Sequence, residues 1–99
     1  MDHPYVMYPD GTRADLKPVN GTDFTFEELY PVLGCDTIEL LYLSDGTLML
    51  FDEEGRLTGK PVNQQATVLI TADLEKRGRF LLGGNLLGPV LHCGEDQIQ

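Results

Sequence analysis

Between Thr37 and Asp52 the chain runs Thr-Ile-Glu-Leu-Leu-Tyr-Leu-Ser-Asp-Gly-Thr-Leu-Met-Leu-Phe-Asp. An Asp-Gly pair between two runs rich in apolar residues is the strongest short-range sign of a β-hairpin. Counting outward from Asp45-Gly46 as a two-residue turn sets Leu43 against Leu48, Tyr42 against Met49, Leu41 against Leu50 and Leu40 against Phe51. Both faces of such a ribbon are apolar, so neither can face water. The hairpin must sit centrally in a sheet with cover on each face, or it must be covered by a second subunit. A homodimer is therefore one of the arrangements the pattern allows.

The rest of the chain offers elements that could give that cover. Thr25-Phe-Glu-Glu28 fits a capping box, and Phe26, Leu29, Tyr30 and Leu33 follow on one helical face. Pro31 removes a helical hydrogen bond and clashes with the preceding turn, which predicts a short or kinked helix ending at Gly34. Asn63, just after Pro61, reads as the N-cap of a second helix running to about Arg77, with Ala66, Leu69, Ile70 and Leu74 as its buried stripe. Tyr5 to Tyr8 and Arg13 to Lys17 form an edge hairpin punctuated by Pro4, Pro9 and Pro18. Phe80-Leu81-Leu82, a Gly83-Gly84-Asn85 turn and Gly88 to Cys93 supply the last strands. Asp10-Gly11-Thr12, Asn20-Gly21-Thr22 and Asp45-Gly46-Thr47 are turn signals at irregular spacing, so they do not mark a repeat.

With 99 residues there is room for one domain. The expected fold is α+β: an antiparallel sheet centred on the 37–52 hairpin, with the 26–33 and 64–77 helices packed on it. The domain spans residues 1–94, and residues 95–99 form a polar C-terminal tail.

Sixteen acidic residues against seven basic ones give a formal charge of −9. That charge repels phosphate backbones and removes the counterion-release contribution to nucleic-acid affinity, so direct nucleic-acid binding is disfavoured. A protein partner with a basic surface is the complementary expectation. The N-terminal residues lack the basic and apolar regions of a secretory signal, and no stretch approaches the ~20 apolar residues of a membrane span. A cytoplasmic chain without membrane contact is expected. Cys35 and Cys93 then stay reduced and packed.

Three groups of residues carry any chemistry. In the hairpin register above, Glu39 falls opposite Asp52 and beside Glu53 and Glu54, a concentration of carboxylates that a basic partner would relieve. Asp52, Glu53 and Glu54 are the candidate partner-binding residues. Gly55, Gly59 and the start of the second helix suggest a phosphate cradle, in which Arg56, Lys60 and Asn63 would hold a nucleotide. That loop lacks the spacing and terminal hydroxyl of a P-loop, so nucleotide binding is the alternative reading. His3, Cys35, His92 and Cys93 lack metal-ligand spacing, and adjacent His92 and Cys93 on a strand point to opposite faces. No catalytic constellation, metal site or cofactor fingerprint is expected.

Leu33-Gly-Cys-Asp-Thr-Ile-Glu39, Asp45-Gly46, Asp52-Glu-Glu-Gly-Arg-Leu57, Pro61-Val-Asn63, Ala66-Thr67 and Leu87-Gly-Pro-Val-Leu91 together resemble a domain-of-unknown-function family. Its members are small proteins common in phages, plasmids and other mobile elements, with a pattern close to VGGxIE, NEEGKLxGxPxN, AT and IxGDVLV. The resemblance covers roughly residues 26 to 93. Cys35 stands where the family often has Gly, and Pro89 where it often has Asp. The resemblance implies a mobile-element setting and supplies no catalytic residue or cofactor. The resulting expectation is a non-enzymatic accessory protein in the host cytoplasm that binds and inhibits a host, defence-related protein.

Overall fold

The computed structural model describes residues 3–81 and 84–99. The chain runs β1 (Tyr5–Met7), β2 (Arg13–Asp15), α1 (Phe26–Leu33), β3 (Ile38–Tyr42), β4 (Thr47–Asp52), α2 (Gln64–Lys76), β5 (Val90–Gly94) and a 3₁₀ turn at Glu95–Gln97. The strands form one sheet in the order β2-β1-β5-β4-β3, every neighbouring pair antiparallel. This is the α+β architecture read from the sequence. The middle of the sheet belongs to β5, all of whose residues are buried, and the 37–52 hairpin lies to one side of it.

The two-faced ribbon is covered within one chain. Leu48 and Leu50 point to one face, where they join Val6, Leu29, Leu33, Leu91 and Cys93 in a core under α1. Met49 and Phe51 point to the other, joining Met7, Leu43, Ala66, Ile70 and Val90 under α2. The period of two along β4 thus feeds two separate cores, one on each side of the sheet. A second subunit is not needed to bury this hairpin.

Both helices begin as their sequences predict. Thr25 Oγ1 accepts from the Glu28 amide at 3.2 Å while Glu28 Oε1 accepts from the Thr25 amide at 2.6 Å, completing the capping box. With Pro31 inside it, α1 spans only 8 residues and stops at Gly34 in the left-handed region, φ 64°. Asn63 caps α2 by accepting from the Ala66 amide at 3.1 Å.

The register of the β3–β4 hairpin differs from the sequence reading by one residue. Tyr42 pairs with Leu48, Leu41 with Met49, Leu40 with Leu50, Glu39 with Phe51 and Ile38 with Asp52. The cause is the turn. A two-residue turn of the expected type needs positive φ at Asp45, but among the described residues only glycines have positive φ. The connection is instead Ser44-Asp45-Gly46, closed by a Leu43 N–H to Thr47 O bond of 2.9 Å, with Gly46 at φ 85°. Glu39 therefore does not face Asp52.

Two further expectations are corrected near the C-terminus. Residues 80–81 are not in a strand, and Phe80 is exposed; Leu82 and Gly83 lie outside the described residues. Residues 95–99 are tied back to the body rather than left as a tail. The fully buried Phe24 donates its amide to Gln97 O at 2.7 Å and accepts from the Gln99 amide at 3.0 Å, while Ile98 packs against the α1-side core.

Candidate functional site

The loop leaving β4 is the leading candidate from the sequence, and the structure divides its residues into two kinds. Asp52 is buried at the end of β4. One carboxylate oxygen accepts from the Glu54 amide at 2.8 Å, and the other meets Lys60 Nζ at 2.9 Å and the Thr58 hydroxyl at 3.4 Å. Burial works against its charge, but the bond to Lys60, the Glu54 amide, the Lys60 charge and Thr58 together hold the carboxyl below its ordinary range. Asp52 is thus turned inward, not towards a partner.

Lys60 is equally committed. Its ammonium donates to Gly34 O, the carbonyl at the end of α1, at 2.8 Å, in addition to its pairing with Asp52. Its stem crosses Gly88, where a Cβ would meet Lys60 Cδ at 2.5 Å. One side chain therefore joins the end of α1, the end of β4 and the approach to β5. Backbone bonds within the loop, Lys60 N–H to Gly55 O at 2.9 Å and Thr58 N–H to Glu54 O at 3.1 Å, close it on itself.

Asn63, the third member of the phosphate cradle, is fully buried. Its side-chain oxygen caps α2, and its nitrogen donates to Met7 O and Gly88 O, each at 2.9 Å. Both donors and the cap are used. Neither Lys60 nor Asn63 is directed at a ligand, and Arg56 is exposed. The nucleotide alternative loses two of its three residues to the fold.

Glu53 and Glu54 remain at the surface. With Glu39, Phe51, Asp52, Arg56 and Leu87, Glu53 lines a hollow of about 100 Å³. Asp36 is exposed just before Thr37, whose carbonyl accepts from the Glu53 amide at 3.2 Å. Glu39 and Glu53 thus share one hollow at this corner of the sheet with Arg56, and Asp36 and Glu54 are exposed close by in the chain. The hairpin expected from Asp45-Gly46 also brings Glu39 near Glu53, although one residue out of register.

A second polar assembly escaped the sequence reading. His92 is buried on the α2 side of β5, with Nε2 2.8 Å from Thr47 Oγ1 and Nδ1 2.9 Å from the Tyr5 hydroxyl. Thr47 donates its hydroxyl hydrogen to Asp45 Oδ1 at 2.6 Å. Its oxygen therefore accepts from His92 Nε2–H, which leaves Nδ1 to accept from Tyr5 O–H. Burial pushes the imidazole below its ordinary range, against the pull of Asp45 and with a smaller push from Arg13, whose guanidinium lies 4.7 Å from the Tyr5 ring centre. The chain Asp45–Thr47–His92–Tyr5 links β4, β5 and β1 with each hydrogen-bonding atom satisfied. The Asp-Gly-Thr signal was visible; its connection to a distant His was not. In all three such triplets the Thr amide and hydroxyl donate to the first residue's side-chain oxygen.

Cys93 faces the α1-side core, and burial pushes its thiol up to about 12, so it is no thiolate nucleophile at neutral pH. Cys35 is half-buried, its thiol raised by burial and then by the Asp52 charge. Among the described residues no group of three His, Cys, Asp or Glu side chains is placed to hold a metal ion, and no helix is long and apolar enough to cross a membrane.

The family described as Domain of unknown function (DUF3846) matches residues 5–98. The chain belongs to the DUF3846 family. The match takes in both hairpins, both helices and the C-terminal turn, so the DUF3846 domain here is the whole described sheet with its two helices. No curated protein and no solved structure matches this DUF3846 chain.

Proposed function

We propose that this DUF3846 chain is a non-enzymatic binding protein that engages a protein partner with a basic surface. One observation carries the reading: Glu39 and Glu53 line one hollow beside Arg56, with Asp36 and Glu54 exposed close by in the chain, while Lys60 is drawn inward by Asp52. A chain of net charge −9 attracts a cationic surface over distance, and an exposed carboxylate corner gives that attraction a place to act. In the setting suggested by the resemblance to small phage and plasmid proteins, the partner is a host protein concerned with defence. Binding inhibits it in the host cytoplasm.

The test is capture from host lysate on the immobilised chain, at low salt and at about 1 M salt, where the screening length falls to about 3 Å. A basic protein retained only at low salt, and lost with the Glu39→Gln, Glu53→Gln and Glu54→Gln triple variant, is the expected result. Capture that neither salt nor neutralisation changes would sink the electrostatic reading.

A further inference from the structure

The corner that carries these carboxylates is also an open strand edge. Thr37 O accepts from the Glu53 amide and the Leu43 amide donates to Thr47 O, which brackets the β3–β4 ladder at both ends. In an antiparallel pair the hydrogen-bonded positions alternate, so residues 37, 39, 41 and 43 turn their backbone groups towards β4. Those of Ile38, Leu40 and Tyr42 turn outward. The Tyr42 carbonyl confirms the direction, because Arg77 Nη2 reaches it from outside at 2.9 Å. Arg77 is itself paired with Asp73 at 2.7 Å, so that end of the edge is closed. From Ile38 to Leu41 the edge is free, and among the described residues no strand lies beyond it.

The opposite edge is handled differently. β2 has 3 residues, all exposed, and two of them, Arg13 and Asp15, are charged. Short charged edges discourage added strands. β3 has 5 residues, of which Ile38, Leu40 and Leu41 are half-buried and apolar and only Glu39 is charged. It has neither proline nor lysine.

We infer that an extended segment of the basic partner adds to the sheet along Ile38–Leu41, placing a Lys or Arg opposite Glu39 and apolar residues opposite Ile38 and Leu40. The inference rests on the binding-protein reading above and names how that surface is used. On the α1 side, Ile38 and Leu40 pack against the core and offer apolar neighbours to an added strand. On the α2 side, a residue opposite Glu39 projects over the hollow lined by Glu39, Phe51, Glu53 and Arg56. A lysine there places its ammonium near the Glu39 carboxylate while its stem lies along the sheet. Backbone pairing would supply affinity and the alternating side chains would supply selectivity. A second copy of this chain is the poorer occupant, because self-pairing brings Glu39 of both copies into one seam between two molecules of charge −9.

The probe is a synthetic peptide of about six residues, the usual length of a strand, alternating valine and lysine. Controls are the valine–glutamate peptide and a valine–lysine peptide N-methylated at its valines, whose amides would otherwise pair with Ile38 and Leu40. Amide signals and hydrogen exchange of the full chain are followed by NMR. The inference expects the Ile38 and Leu40 amides to shift and to exchange at least about tenfold more slowly with the lysine peptide alone, and Glu39→Lys to weaken binding about tenfold. Equal binding of the N-methylated peptide overturns it, as does protection at β2 or protection of Ile38 and Leu40 by concentrating the peptide-free chain. Shifts confined to Glu53 and Glu54 overturn strand addition while leaving the electrostatic reading intact. That reading is judged separately by the salt dependence of capture.

Discussion

The loop 52–60 and the strand edge 38–41 are neighbours that use charge in opposed ways. In the loop, Asp52 and Lys60 face inward, meet at 2.9 Å and tie three segments together. At the edge, Glu39 faces outward opposite the apolar Phe51, and the nearby Glu53 and Glu54 are exposed. The sequence places Asp52, Glu53 and Glu54 in one run; the fold turns the first inward to hold the chain and leaves the other two exposed. Substitutions in the two regions should accordingly show different phenotypes, one in stability and the other in binding.

The sharpest break is expected at the helix cap adjoining the loop. Asn63→Ala removes an N-cap and leaves the Met7 and Gly88 carbonyls without their donor, at a cost of about 3 kcal/mol. Urea unfolding followed by circular dichroism measures it; a loss under about 1 kcal/mol would show that water replaces the amide there. Next comes the ion pair. Lys60→Met should cost about 2 kcal/mol, because it strands the buried Asp52 carboxylate, and Asp52→Asn about 1 kcal/mol, because the partly exposed Lys60 ammonium can turn to water. The double variant should cost less than the sum, and strict additivity would mean that the two side chains act independently.

Smaller again is the dependence on pH. Asp52 and Asp73 both titrate below their ordinary range when folded, so the unfolded chain takes up their protons first. Their contribution is complete above the unfolded carboxylate value of ~3.9 and fades as pH falls through the folded values. His92 is also lowered, and the sign is the same: its contribution is complete above ~6.5 and fades as pH falls towards its folded value. Stability should therefore decline gently from pH 7 to 5 and more steeply below 4, with His92→Gln flattening the first slope. Chemical denaturation at several pH values would reveal it, and a stability maximum near pH 5 would contradict it. The smallest stability effect belongs to the edge. Glu39→Gln, Glu53→Gln and Glu54→Gln should each leave unfolding within about 0.5 kcal/mol of the parent while weakening capture of a basic partner. Thermal melting compared with capture tests the contrast directly.

Local signals predicted local structure well. The Thr25–Glu28 box, the Asn63 cap, the Gly34 stop and the three Asx-Gly-Thr turns all stand where the residues imply. Each depends on groups only a few positions apart. The hairpin register did not follow, because Asp-Gly suits either a two-residue turn or the last two positions of a three-residue one. The difference lies in whether Asp45 takes positive φ. That single torsion moved Glu39 from opposite Asp52 to opposite Phe51, and with it the meaning of the acidic cluster. The inward role of Lys60 was hidden for another reason. Its partners Gly34 and Gly88 are distant in sequence, and a lysine between Gly59 and Pro61 carries no local sign of which way it will turn.

The central position of β5 has a temporal consequence. Tyr5 pairs with His92 and Met49 with that same His92, so the sheet is joined through the strand that the ribosome delivers last among the described strands. Until residues 90–94 emerge, the β1–β2 and β3–β4 hairpins are separate ribbons with exposed apolar faces. Contacts spanning so much of the chain slow folding and lengthen the interval in which such ribbons can associate wrongly. A nascent chain halted before Val90 would be a substrate for chaperones rather than a smaller version of this domain.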